Sequence, residues 1–363
     1  MSAIDAIYIS IDDPQDLRSW SGTTSFMGRA LAAAGFNLSY IGPLRTPSPL
    51  WYRLKGRLLR MRGWDYLLFA EPRVLKSYAR QAAQQLRSDR GRVLLSCGKP
   101  ALTYLETRLP LLFFDDGSVP GIMNLYPGHT HYHPRVKANA YEMERRILEK
   151  CLYACYMSEW AAEEALATYG RQFETKIRVV PIGANMEVTP TAAEVEKAIQ
   201  SRPGNRCHLL FVGVDWDRKG GSIALAVTQE LHRRGVDVRL EVVGCVPPVP
   251  VPGFVKVHGF VSKQSVEGVK LIESLYRECH FLLLPSQAEA YGIAFVEANA
   301  HGVPALGCRV GGVPTIVRDG ENGWLFPLDV PRRPTPAGSR HVCRRQKTTP
   351  AFAAHPMRRF RHD

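Results

Sequence analysis

The chain has 363 residues, enough for two domains of ordinary size, and its 45% hydrophobic and 22% charged content is that of a soluble globular protein. The formal net charge is +13, but residues 331–363 hold nine Lys or Arg against Asp363 alone, so the basic balance belongs mostly to the tail and argues against a nucleic-acid-binding groove. The 8 cysteines include no Cys-x-x-Cys pair, and Cys151 and Cys155 lack the second pair that a tetrahedral zinc site requires.

In chain order, short β-branched or apolar runs alternate with helix-period segments. Strands are expected at 7–11, 38–42, 66–69, 93–97, 110–115, 154–158 and 177–182, with helices at 24–34, 72–87, 135–150 and 159–168 between them. The second half repeats the rhythm with strands at 208–213, 238–243, 255–259, 281–285, 304–307 and 323–326, and helices near 219–234, 265–278, 293–301 and 313–317. Such alternation implies parallel sheets covered by helices on both faces, with ligands taken at the carboxyl ends of the strands. The stretch 185–205, with Pro190 and Ser201-Arg-Pro-Gly204, reads as the connection between two domains. A strand beginning at Ile7 leaves no room for a signal peptide, and no apolar stretch reaches bilayer length, so a cytoplasmic protein, soluble or peripheral, is expected. After residue 330 the periodicity stops and Arg, Pro, Ala and His take over. Residues 331–363 read either as a disordered basic tail or as the product of a lost reading frame.

The chemistry concentrates in four places. After the apolar run Phe281-Leu-Leu-Leu-Pro285 comes Ser286-Gln-Ala-Glu-Ala-Tyr-Gly-Ile-Ala-Phe-Val-Glu297, a strand, a small-residue turn and a helix. Gly292 lies where backbone approaches a ligand closely, and the helix from Ile293 would face an anion with its N-terminus while carrying Glu297 about one turn in. An ordinary acidic loop and helix is the plain alternative. Leu209-Leu-Phe-Val-Gly-Val-Asp-Trp-Asp-Arg-Lys-Gly-Gly221 is a second strand, tight loop and helix start, with Arg218 and Lys219 where an anion would meet the helix; the alternative is a solvated basic loop. Trp20-Ser-Gly-Thr-Thr-Ser-Phe26 follows the first strand, with Gly22 permitting close approach and Thr23 or Thr24 able to cap the helix. Phe113-Phe-Asp-Asp-Gly-Ser118 places Asp115 and Asp116 at the carboxyl end of a buried strand.

These motifs resemble the retaining glycosyltransferases of the GT-B fold, and glycosyltransferase family 4 in particular, whose Glu-x7-Glu signature Glu289 and Glu297 match. The resemblance runs from about residue 20 to 328 and includes the turn Val180-Pro-Ile-Gly-Ala-Asn185 and the glycine-rich stretches at 307–313 and 320–326. It implies an α/β, two-domain architecture of doubly wound Rossmann-like parallel sheets facing a central cleft. The acceptor-side domain would be 1–186, the linker 187–205 and the incomplete nucleotide-sugar donor-binding domain 206–330. It further implies that Glu297 grips the donor ribose and Glu289 lies against the sugar. Lys219, Arg218 and the backbone of Gly292 and Ile293 would stabilise the departing diphosphate, beside Tyr291, while Gly22 and Thr23 touch the donor phosphate. Asp116, with Asp115 as the alternative, would face the acceptor. The family places an Arg directly after the first glycine of the basic loop; here Val214 stands there and Arg218 follows one turn on.

The implied activity is sugar transfer from a nucleotide sugar to an acceptor hydroxyl on a glycan, a lipid-linked molecule or a small molecule, with no metal and no other cofactor. A catalytically impaired or inactive truncated product is one alternative, and a sugar-nucleotide epimerase of the same fold another; no cofactor lysine suggests a phosphorylase. Two segments stand outside the resemblance. His129, His131 and His133 alternate and read as either a zinc ligand set or a loop near the acceptor pocket. Residues 51–64 interleave five basic residues with Trp, Leu and Met, as in a helix resting on an anionic membrane surface or in a surface helix whose apolar face enters the core.

Overall fold

The structure, a computed structural model, describes residues 4–87, 91–126 and 131–328. The tail at 331–363 and His129 lie outside the described residues. The first half runs β1 (Ile4–Ile9), α1 (Thr23–Ala33), β2 (Phe36–Ile41), α2 (Pro49–Met61), α3 (Pro72–Leu86), β3 (Val93–Cys97), β4 (Leu111–Asp115), α4 (Val119–Leu125), α5 (Pro134–Lys150), β5 (Tyr153–Tyr156), α6 (Glu159–Tyr169) and β6 (Ile177–Val179). The second runs α7 (Ala192–Ser201), β7 (Cys207–Val212), α8 (Gly221–Arg233), β8 (Val238–Val243), β9 (Val255–Gly259), α9 (Val266–Glu278), β10 (Phe281–Leu284), α10 (Ile293–Ala300), β11 (Ala305–Cys308), α11 (Val313–Ile316) and β12 (Gly323–Phe326).

Each half builds one six-stranded sheet, in the orders β2-β1-β3-β4-β5-β6 and β12-β11-β10-β7-β8-β9. Every strand pairing is parallel. Central strands of such sheets are covered on both faces, which is why they read as unbroken apolar runs: Ile7 to Ile9 and Leu282 to Leu284 are all buried. In the first sheet the strand order reverses between β1 and β3, and in the second between β7 and β10. At such reversals the loops diverge and leave a crevice beyond the carboxyl ends of the strands. The helices start on local chemistry: Ser158 Oγ accepts from the Ala161 amide at 3.2 Å, Ser265 Oγ from the Gly268 amide at 3.0 Å, and Thr191 with Glu194 closes a reciprocal capping box on α7.

The chain forms two compact units. Among the described residues, one holds the chain through Thr189 together with Ala288–Ala300 and Val310–Arg318; the other holds Pro190–Gln287, His301–Arg309 and residues 319–328. The segment 187–205 includes α7. No helix among the described residues is long and apolar enough to cross a membrane.

Two expectations need correction. The run at 66–69 is no strand: an isolated bridge from Asp65 to Tyr132 precedes it, and it then tightens into a 3-10 turn, Leu68–Ala70. Its apolar side chains are used in helix packing instead, Tyr66 and Leu67 lying against the Leu75, Val136 and Met143 cluster. Helix α2 forms with Tyr52 in the core, but most of its large apolar side chains stay outside it. Tyr52 and Gly56 face inward, while Leu50, Trp51, Leu54, Leu58 and Met61 are exposed. Gly56 is required there because a Cβ would come within 2.9 Å of the Tyr66 ring.

Candidate active site

In the second unit, the loop from Gly213 to Gly221 joins β7 to α8 at the sheet's reversal point. It is a self-supporting turn. Lys219 N–H donates to Asp215 O at 3.0 Å, Gly220 N–H to Asp217 O at 3.1 Å and Gly221 N–H to Trp216 O at 2.7 Å. Asp215 carboxylate accepts from the Arg218 amide at 3.0 Å and pairs with its guanidinium at 3.4 Å. Gly220 caps α8 at φ +76°, where a Cβ would sit 2.0 Å from Pro285 O, and a Cβ on Gly213 would strike the Lys219 side chain at 2.7 Å. Gln287 N–H donates to Arg218 O at 2.7 Å, tying this loop to the chain leaving β10. Lys219 is thereby held with its stem buried. A helix start flanked by two cations suits a phosphate.

The segment after β10 belongs to the first unit from Ala288. Glu289 is 7% exposed and Glu297, on α10, is 2% exposed. Gly292 adopts φ +100° directly before the helix, and a Cβ there would press on Phe295 at 2.7 Å and on Glu289 Cγ at 3.1 Å. Two further glycines support the turn from below: Cβ atoms on Gly311 and Gly312 would lie 2.0 Å from Glu289 O and 2.2 Å from Ala290 O. Tyr291 Oη donates to Ile182 O at 2.7 Å, and Tyr126 Oη accepts from the Ala290 amide at 3.2 Å. The backbone carrying Glu289 is fixed on both sides.

Trp20, Ser21 and Gly22 have φ of 47°, 56° and 84°, three consecutive left-handed residues of which two carry side chains. Strain of this kind persists only where the surroundings hold it. Here Asn185 Nδ2 donates to both Ser21 O and Thr23 Oγ1 at 3.0 Å, and Tyr8 Oη donates to Thr24 O at 2.9 Å. The expected threonine cap on α1 is therefore corrected: Gly22 is the N-cap with no side-chain bond, and the Thr23 hydroxyl is occupied by Asn185.

Trp20 Nε1 donates to Asp116 Oδ2 at 3.3 Å. Burial, followed by the neighbouring Asp115 charge, pushes the Asp116 carboxyl up to about 7; Lys99 and Trp20 oppose the rise, and Glu289 adds to it. Asp116 and Glu289 therefore sense each other within the first unit. Asp115 has a different job. Its carboxylate accepts from Lys99 Nζ at 2.8 Å, and Lys99 also donates to Gly117 O at 2.7 Å and pairs with the buried Glu144 at 3.1 Å. Glu144 in turn accepts from Tyr156 Oη and the Val119 amide, both at 2.7 Å. This buried network turns Asp115 inward and fixes the peptide that presents Asp116. Sequence reasoning missed Lys99 and Glu144. The signal was available in α5, where Glu144 lies in the same stripe as Val136, Ala140, Met143 and Ile147, a carboxylate at a core position.

Of the three histidines, His133 Nδ1 accepts from the Arg135 amide at 3.2 Å and so caps α5, while the His131 amide donates to Asp65 at 3.3 Å. Among the described residues no three His, Cys, Asp or Glu side chains gather as for a metal ion.

Residues 206–333, which include both basic loop residues and both glutamates, match the sequence family described as glycosyl transferases group 1. Solved structures share the architecture. Sucrose-phosphate synthase from Thermosynechococcus elongatus superposes with a TM-score of 0.65 at 16% identity, over 90% of this chain and 86% of that one. WaaG, a glycosyltransferase involved in lipopolysaccharide biosynthesis, gives 0.57 at 15% identity, over 90% and 86%. The fold is GT-B. Among curated relatives, a D-inositol 3-phosphate glycosyltransferase of Paenarthrobacter aurescens is 25% identical over 51% of this chain, and an uncharacterized glycosyltransferase of Methanocaldococcus jannaschii is 30% identical over 36% of it. The matched stretches span 47% and 37% of those two relatives, less than half of either.

Proposed function

We propose that this GT-B chain is a nucleotide-sugar-dependent glycosyltransferase acting with retention, in the manner of family 4. The observation that carries the reading is that two strand-loop-helix connections leave neighbouring strands, β7 and β10, at the reversal point of one sheet, and bear Arg218 with Lys219 and Glu289 with Glu297. The match to glycosyl transferases group 1 covers both. Anabaena HepE, at 14% identity and a TM-score of 0.52, was crystallised with UDP and glucose, which favours a nucleoside diphosphate sugar as the donor class.

In this reading Glu297 holds the donor ribose and Glu289 the sugar hydroxyls. Lys219, Arg218 and the amides at Gly292 and Ile293 meet the diphosphate, whose charge grows as the C1–O bond breaks; fixed donors there act most strongly on the transition state and need no metal. Tyr291, its hydroxyl engaged with Ile182, positions that turn, and Gly22 with Thr23 approaches the donor phosphate. The acceptor hydroxyl forms the new C1–O bond on the same face, its proton passing to the departing diphosphate oxygen, with Asp116 facing the acceptor. An Asp116 carboxyl near 7 is suited to a proton in flight at neutral pH.

Thermal melts of the full chain against UDP, GDP, ADP and their sugar conjugates test this. One nucleotide series should raise the transition. Glu297→Ala should abolish that rise, and Lys219→Ala should lower turnover roughly a hundredfold while changing donor affinity far less. Unchanged donor affinity in Glu297→Ala would sink the assignment.

A further inference from the structure

We infer that α2 is a docking surface for an anionic lipid bilayer. A surface helix in a globular domain ordinarily turns its large apolar residues inward. Helix α2 does the reverse. Leu50, Leu54, Leu58 and Met61 recur every three to four residues and so form one stripe, with Trp51 at its margin. All five are exposed, Leu50 and Met61 by 75% and 76%. The opposite face is anchored by Tyr52 in the core, by Gly56 against Tyr66, and by Lys55, which pairs with Glu71 and lies 5.4 Å from the Tyr66 ring centroid. The stripe's outward direction is therefore set by well-formed contacts beneath it.

Charge identifies the occupant. Arg53, Arg57 and Arg60 run along one border of the stripe and Arg62 stands at the helix end, all four exposed. None of the four has an ion-pair partner among the described residues, whereas Arg145, Arg146, Arg171, Arg233 and Arg234 on other helices all pair with neighbouring glutamates. No acidic residue occurs between Pro49 and Trp64 to offset them. An apolar ridge with an unpaired arginine border and a Trp at its edge matches the two layers of a membrane interface: acyl chains for the leucines, phosphate headgroups for the guanidinium groups. A second copy of this chain would have to bring those like charges together. The helix lies in the plane of the surface and does not cross it.

The inference is independent of the donor chemistry, since binding is read without turnover. The full chain is sedimented with vesicles of phosphatidylcholine alone or mixed with phosphatidylglycerol, at low and high salt. Binding should require phosphatidylglycerol, weaken with salt, and shift the Trp fluorescence to the blue in a way that Trp51→Phe removes. The basic residues at 331–363 could also bring the chain to anionic vesicles, so the deciding variant leaves charge unchanged. Leu54→Gln with Leu58→Gln, both solvent-facing, should lower partitioning roughly tenfold or more. Replacing Arg53, Arg57 and Arg60 by Gln should cost roughly fivefold for each residue. Melting temperature checks that both variants fold. The proposal is overturned by equal binding to neutral vesicles, by no binding, by full retention of binding in the leucine variant, or by a concentration-dependent dimer that the same variant abolishes.

Discussion

The connections β1-to-α1 and β7-to-α8 occupy corresponding places in the two units, each leading from a central strand into a helix with a left-handed glycine at its N-cap. They are held in opposite ways. The second closes on itself through Asp215, Trp216 and Asp217, and its glycine is wedged against Pro285. The first places Trp20 and Ser21 in left-handed conformations that their side chains disfavour, and depends on Asn185, more than 150 residues away in sequence, to stay there. One loop is specified locally, the other by tertiary structure. That difference decides where each should break.

The sharpest test lies at the two glycines. Gly220→Ala combines a positive φ with a Cβ only 2.0 Å from a backbone oxygen, and nothing flexible can yield. It should cost about 3–5 kcal/mol in urea unfolding. Gly22→Ala meets only the Phe26 ring and Leu17 O, at 3.3 Å and 3.4 Å, and should cost about 1 kcal/mol. Equal costs would mean that the first loop is as tightly wedged as the second.

Next in size is Asn185→Ala, which removes the outside support. It leaves the buried Thr23 hydroxyl and the part-buried Ser21 O without their donor, at about 1–3 kcal/mol. Hydrogen exchange should quicken through 20–25 more than elsewhere in the unit. Exchange that rises uniformly would show Asn185 to be ordinary packing and the loop to be self-supporting after all.

The same distinction governs how much could be read from the sequence. The runs Leu282 to Leu284 and Leu209 to Phe211 announced their strands because a strand buried on both faces has no polar alternation, and Gly220 and Gly292 announced turns because only glycine suits their φ. Asp116 was legible as an acid at a strand end. What escaped was everything decided by distant partners: Asn185 on the Trp20 loop, Lys99 turning Asp115 inward, and Tyr66 and Leu67 packing against helices where a strand was expected. The outward stripe of α2 belongs here too, because an amphipathic period fixes which residues share a face and leaves open whether that face meets the core.

The test most selective for the first loop is its response to pH. Trp20 ties that loop to Asp116, whose carboxyl titrates at about 7 when folded and near roughly 3.9 when unfolded. Between those values the folded state binds the extra proton, so the contribution of Asp116 to stability is fully present below the lower value and is lost as pH rises through the upper one. Asp116→Asn keeps an acceptor for Trp20 Nε1 but cannot ionise. Melting temperatures of the two chains should therefore diverge between about pH 4 and 7, with the variant gaining on the parent as pH rises. Groups elsewhere titrate alike in both chains, so the difference reports Asp116. Parallel curves would mean that the Asp116 charge is fully solvated, and would remove the electrostatic tie between this carboxylate and the strained turn beside it.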